Sequence, residues 1–411
     1  MTESISLRIQ PARSELQVCS EPQMVYLLVT AHTAATAQQR MPLNLCLVLD
    51  RSSSMRGERL FQVKEAARHV LTQLSPSDGF GLVAFNDRAE AIVPSQLVKD
   101  RDVLKAAVMN LEARGGTEMA QGLALGLQEI ERPKINGINR LILLTDGRTY
   151  GDEHACVELA RRAQRRGIGL TTLGVGTEWN EDLLETMTAG PNSRTRYITA
   201  ANETVSVFSD ELERMQATIA QSVELTITTH SEAEVRACHR VQPFIGTLQA
   251  LPVSAGVSRI TIGEWAAGED QAFMIELIVP PVVTGTHPVA RIDLRYELLG
   301  NTSRSETASA TVQLPAVPNA ELTVGQEVRK ALERVVAYQL QTRAWQSVTE
   351  GRMDDATKRL KMAGTHLFNA GEVALAEMVH VEATRLLQGS SASADGRKRI
   401  KYGTRGLLAE S

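Results

Sequence analysis

Five oxygen-bearing side chains, Asp50, Ser52, Ser54, Thr117 and Asp146, stand at three separate points of the 411-residue chain. The chemistry open to such a set is to hold a hard divalent cation. No Cys or His takes part, two carboxylates balance the charge of a dication, and oxygen-only ligands favour magnesium, with manganese or calcium as alternatives. The set leaves room at the ion for water and for one outside ligand. A carboxylate from another molecule is favoured there because it adds a third anionic oxygen.

Patterning predicts the elements that must bring the five together. The apolar run 43–49 ends abruptly in Asp50-Arg51-Ser52-Ser53-Ser54, which reads as a buried strand delivering a carboxylate at its C-terminal end. In extended backbone alternate side chains share a face, so positions 50, 52 and 54 converge while Arg51 and Ser53 point elsewhere. A second apolar strand, 141–144, ends in Thr145-Asp146-Gly147, and the turn Gly115-Gly116-Thr117 opens a helix from Glu118. Leu60, Val63, Ala67, Val70 and Leu74 recur at helical spacing, and Ser75-Pro76-Ser77-Asp78-Gly79 breaks that helix. Strands at 80–85, 89–93 and 169–174 alternate with helices at 102–111, 118–130, 153–166 and 205–221. This is the order of an α/β domain with a doubly wound, mostly parallel sheet. Ligands of such sheets bind in the crevice outside the carboxyl ends of the strands, where all three clusters fall.

Asp50-x-Ser52-x-Ser54, with Thr117 and Asp146, matches position by position the metal-ion-dependent adhesion site of the von Willebrand factor type A (vWA) family. The resemblance covers roughly residues 40–220, about one domain. It implies a Rossmann-like fold and an ion that completes its coordination with an Asp or Glu of a protein partner. It also implies that Thr117 and Asp146 alternate between direct and water-mediated contact, and that binding can shift the last helix along the sheet. Any one of these residues alone is an ordinary capping or turn side chain. Three clusters in the right order at strand ends set them apart.

Other chemistries fit less well. A haloacid-type phosphatase needs a second Asp where Ser52 stands, and the phosphate-binding glycine loops and the Gly-x-Ser-x-Gly elbow are absent. The eight histidines are scattered, and Cys238-His239 lacks a spaced second pair, so a zinc site is not indicated. Asp152, Glu153 and Glu118 are acids near the cluster that a Lewis-acid enzyme would need as bases; solvated loop acids are the plainer reading. The expectation is a protein that is not an enzyme.

With 43% hydrophobic and 22% charged residues the chain can bury two or three cores. No apolar run reaches the roughly eighteen residues of a membrane span, and Met1-Thr2-Glu3-Ser4 does not open a signal peptide. Cys19, Cys46, Cys156 and Cys238 lie far apart and read as free thiols, which points to a cytoplasmic, reducing location. The net charge of −4 gives no reason to expect nucleic acid.

Both flanks of the central domain turn to short alternating strands: Ile5, Leu7 and Ile9 and then 24–30 before it, and strands near 225–227, 260–262, 273–279, 292–296 and 308–314 after it. Two N-terminal strands are not stable alone. The economical arrangement is one β-sandwich from residues 1–38 and 222–316, with a vWA domain at 40–221 inserted; a separate sandwich with a loose N-terminal extension is the alternative. Inter-alpha-trypsin inhibitor heavy chains and coat-complex subunits are similar in pairing a sandwich with this domain. From 319 to 388 three apolar stripes, beginning at Val324, Met353 and Leu375, predict a helical bundle that packs on the sandwich or serves a partner. The whole resembles bacterial vWA proteins. Residues 389–411 read as a flexible basic tail, in which Thr404 among Lys401 and Arg405 suggests a Ser/Thr kinase site or a phosphopeptide-reading partner.

The sequence thus predicts a cytoplasmic, Mg-dependent protein-interaction scaffold whose partner offers an Asp or Glu to the ion. The alternative is an accessory subunit of an ATP-driven complex of AAA-type or chelatase-like ATPases.

Overall fold

The structure is a computed structural model that describes residues 5–33, 40–230, 232–300, 304–321 and 323–408. Residues 1–4, read above against an export signal, and the domain junction at 38–40 up to residue 39 lie outside the described residues. The chain divides into two compact units, one drawn from Met1–Gln38 and Ile219–Gly406, the other from Gln39–Thr218 and Leu407–Ser411.

The chain opens in the first unit with β1 (Ile5–Pro11), β2 (Leu16–Gln17) and β3 (Gln23–Thr33). It then builds the second: β4 (Leu43–Asp50), α1 (Glu58–Gln73), β5 (Gly79–Phe85), β6 (Ala89–Leu97), α2 (Arg101–Met109), α3 (Met119–Glu131), β7 (Ile138–Thr145), α4 (Glu153–Arg165), β8 (Gly169–Val175), α5 (Glu181–Met187), β9 (Arg194–Ile198) and α6 (Thr204–Gln216). The sheet order is β6-β5-β4-β7-β8-β9, and every neighbouring pair is parallel except β5 with β6. All eight residues of β4 are buried, as a central strand covered on both faces requires. Helix α3 lies close against this sheet because Gly122 and Gly126 face it. A Cβ at Gly126 would meet Val48 Cγ2 at 2.5 Å, and one at Gly122 would meet the Phe85 ring at 2.7 Å.

The helix predicted through residue 221 ends at Gln216, and the chain re-enters the first unit as a strand. There follow β10 (Thr218–Thr229), β11 (Glu234–Gln242), β12 (Gly246–Leu248), β13 (Leu251–Ser254), β14 (Val257–Ala266), β15 (Gln271–Val279), β16 (Gly285–Leu298) and β17 (Arg304–Val317). Two sheets result, β1-β3-β15-β11-β12 and β13-β14-β10-β16-β17-β2. Because β3 pairs with both β1 and β15, the N-terminal strands are integral to the sandwich and not a loose extension. Side chains from both sheets, Leu27, Leu225, Trp265, Phe273 and Tyr296 among them, form one core.

Four helices close the unit: α7 (Gln326–Thr349), α8 (Met353–Asn369), α9 (Val373–Leu387) and α10 (Ala394–Gly403). Helix α7 is buried on two sides. Val328, Ala331 and Val335 pack with Leu28, Val241 and Met274 of the sandwich, while Ala337, Ala344 and Trp345 join the bundle core. The flexible basic tail is corrected here. Ser393 caps α10 by accepting from Gly396 N, and Lys398, Ile400 and Tyr402 are buried. Thr404 is also buried, its hydroxyl donating to Ile400 O at 2.9 Å, so a kinase would have to open this helix to reach it. Beyond α10, Leu408 bridges in parallel to Tyr197 of β9. Among the described residues no helix is long and apolar enough to cross a membrane.

Candidate metal centre

The parallel strands β4, β5 and β7 all end at one edge of their sheet; of the five oxygen ligands predicted above, Asp50 ends β4, Ser52, Ser54 and Asp146 sit in the loops after β4 and β7, and Thr117 sits in the connection from α2 to α3. Asp50 is the last residue of β4, and its side chain has no exposed surface. Both carboxylate oxygens have fixed donors: Ser52 N–H reaches Oδ1 at 2.8 Å and the Thr145 hydroxyl reaches Oδ2 at 2.7 Å. Extended alternation does not continue through Ser54 as predicted. Ser52 is extended, but residues Ser53–Met55 form a 3-10 turn, and this turn brings the Ser54 hydroxyl to 3.0 Å from that of Ser52. Ser54 Oγ in turn donates to Asp146 Oδ1 at 2.7 Å. Ser52 and Asp146 are buried, whereas Ser54 is exposed and Thr117 half-buried. The cluster thus sets two buried carboxylates beneath the more accessible hydroxyls of Ser54 and Thr117.

Thr117 joins the group across Gly147. A Cβ at Gly147 would lie 3.8 Å from Thr117 Oγ1 and 3.9 Å from Ser54 Oγ, so both hydroxyls border one small space. Three neighbouring loops hold the Thr117 loop. The Asp50 loop clasps it through Ser53 N to Gly115 O at 3.0 Å and Arg114 N to Arg51 O at 2.7 Å. The loop after β5 contributes Asn86 Nδ2 to Arg114 O at 2.8 Å and accepts Gly116 N on Asp87 at 2.9 Å. Gly115 has φ +78° and a Cβ there would sit 3.1 Å from Asn86 Nδ2, so this clasp requires glycine. From the loop after β7, the Thr149 hydroxyl donates to Thr117 O at 3.1 Å, and Asp152 accepts the N–H of Ala120 at 2.7 Å.

Those contacts assign two of the nearby acids. Asp152 caps the first turn of α3 and Glu153 accepts Gly151 N at 2.9 Å, so both serve the backbone. Sequence reasoning missed the roles of Thr145, Asn86, Asp87, Thr149 and Arg59. Only Thr145 carried a signal, since it abuts Asp146 at the end of an apolar strand. Arg59, on the first turn of α1, forms a close ion pair with Asp146 Oδ2 and points toward Ser54 O at 3.5 Å.

Burial pushes the Asp50 carboxyl up to about 6, against the hydrogen bonds from Thr145 and Ser52, with the charge of Asp146 adding to the rise. Two buried carboxylates and three hydroxyls, crowded enough to hydrogen-bond one another, are a donor set that fits a hard dication. Among the described residues no group of three or more His, Cys, Asp or Glu side chains offers a competing site.

Residues 44–211 match the von Willebrand factor type A domain family, and residues 326–410 match the Sll0103-like C-terminal alpha-helical domain. Over 380 residues the chain is 27% identical to the uncharacterized protein sll0103 of Synechocystis, covering 91% of this chain and 90% of that one. It is 26% identical to inter-alpha-trypsin inhibitor heavy chain H1 of Bos taurus over 253 residues, which is 57% of this chain but only 28% of the relative. Among solved structures, a von Willebrand factor type A protein from Catenulispora acidiphila superposes with TM-score 0.79 at 17% identity, covering 100% of this chain and 99% of the other. The ArnB paralog VWA2 from Sulfolobus acidocaldarius gives 0.60 at 14% identity, covering 99% and 100%. These two show the fold. Residues 44–211 match a vWA domain and have its fold, joined to additional β-sheets and C-terminal helices.

Proposed function

We propose that this chain is a divalent-metal-dependent docking protein. Asp50, Ser52, Ser54, Thr117 and Asp146 would hold the ion, magnesium first and manganese or calcium as substitutes, and an Asp or Glu of a protein partner would complete its coordination. The observation that carries this reading is the continuous oxygen chain Ser52–Ser54–Asp146 beside the buried Asp50, with Thr117 facing the same space. What the ion supplies when bound is a positive centre for an outside carboxylate. The chain's own residues do the rest: Thr145 and Ser52 fix the Asp50 oxygens, and Thr149, Asn86 and Asp87 fix the Thr117 loop. Asp152 and Glu153, two of the three acids near the cluster, are engaged by backbone N–H groups, which favours binding over catalysis. The described cysteines are unpaired, three of them buried, which favours a reducing, cytoplasmic setting.

Affinity capture from a lysate with and without chelator tests the proposal. Partners should be retained with magnesium and lost with chelator, and Asp146→Ala should retain none. Its melting temperature without metal should fall, because the substitution removes the buried carboxylate that pairs with Arg59 and accepts from Ser54, so circular dichroism first establishes that the variant is folded at the capture temperature. Identical capture with and without chelator would contradict the proposal.

A further inference from the structure

The guanidinium of Arg59 occupies a position that the docking reading does not use. Its Nη1 pairs with the outer oxygen of Asp146, whose side chain has no exposed surface, while Asp146 Oδ1 accepts from Ser54. Nη1 also points toward Ser54 O at 3.5 Å, and a Cβ at Gly176 in the loop after β8 would lie 3.3 Å from Nη2. The arginine is therefore seated against the Ser54 loop, which bounds the candidate metal centre, and against the loop after β8. The adjacent acid, Glu58, is turned to Gln62 Nε2 at 2.6 Å.

We infer that Arg59 is a built-in cation that neutralises Asp146 and weakens the site's hold on a dication until an outside carboxylate arrives. The inference rests on the docking reading. With Arg59 in place the two carboxylates and the guanidinium sum to a single negative charge, half of what a dication needs. A third carboxylate restores the balance. Like charges a few ångströms apart in a half-buried setting repel, so the arginine and the ion each lower the affinity of the site for the other. Ion retention and acidic-partner binding then become mutually dependent, and the ion is held loosely when no partner is present.

Calorimetric titration of the full chain with manganese chloride, with and without excess acetate at constant ionic strength, separates the outcomes. The native chain should bind manganese weakly, and more tightly with acetate. Arg59→Gln should bind it about tenfold more tightly without acetate and gain less from acetate, while Arg59→Lys, which keeps the charge, should stay near native. A merely structural arginine would give loss of affinity in Arg59→Gln, and a result equal to or weaker than native overturns this inference alone. Absence of uptake by the native chain and by all variants overturns the docking reading with it. Thermal melts of each variant confirm that a folded protein is being titrated.

Discussion

Asp50 carries its charge at a cost that the rest of the site must offset. Burial raises its carboxyl to about 6 in the folded protein, against about 3.9 for an unperturbed aspartate. A raised folded value means that the native state holds the proton more tightly than the unfolded chain, so the contribution to stability is present below about pH 4 and lost as pH rises through about 6. The full difference corresponds to roughly 3 kcal/mol as a ceiling. Without metal, denaturant melts should therefore show stability falling between pH 4 and 6, and Asp50→Asn should flatten that slope. An unchanged slope in the variant would show that Asp50 is not its source. That the five oxygen-bearing side chains fall in neighbouring loops was legible in the sequence because each follows a strand or opens a helix. The tight turn at Ser53–Met55 and the ion pair of Arg59 were not, since both depend on contacts between residues whose local patterns are unremarkable.

At the level of elements, helix α3 sets the position of Thr117, and its distance from the sheet is set by Gly122 and Gly126. Gly126→Val should overpack the contact with Val48 and Leu141, costing about 1–3 kcal/mol in denaturant melts, and should weaken manganese binding as the helix start moves. Native metal affinity in a destabilised variant would show that α3 does not govern the site. The strands β4 and β7 announced themselves as unbroken apolar runs. Strand β9 did not, because it is a short edge strand with two arginines among five residues. Those arginines reach inward: burial alone would raise the Glu211 carboxyl of α6, yet Arg194, Arg196 and Arg214 together hold it below the ordinary range. Helix α10 hid in the same way, its buried Ile400 and Tyr402 set within a basic run that reads as tail. Ile400→Ala should destabilise the helical domain by about 2–5 kcal/mol by thermal melt, whereas a solvated tail would leave the melt unchanged.

Across the whole molecule, the candidate metal centre draws on segments nearly a hundred residues apart and lies in a domain inserted between β3 and β10 of the sandwich. The alternating strands of both flanks made that insertion legible, because two N-terminal strands need partners, which the distant β15 and β17 supply. Local patterning gave no hint of β11 to β13, which begin in a polar stretch and include the wholly exposed β13. The account depends on one ion held by this composite site. Anomalous diffraction from crystals grown with manganese tests it most directly. One peak should appear within coordination distance of the oxygens of Asp50, Ser52, Ser54, Thr117 or Asp146, and vanish in Asp146→Ala. No peak there in the native protein, or a peak that survives the substitution, would contradict it.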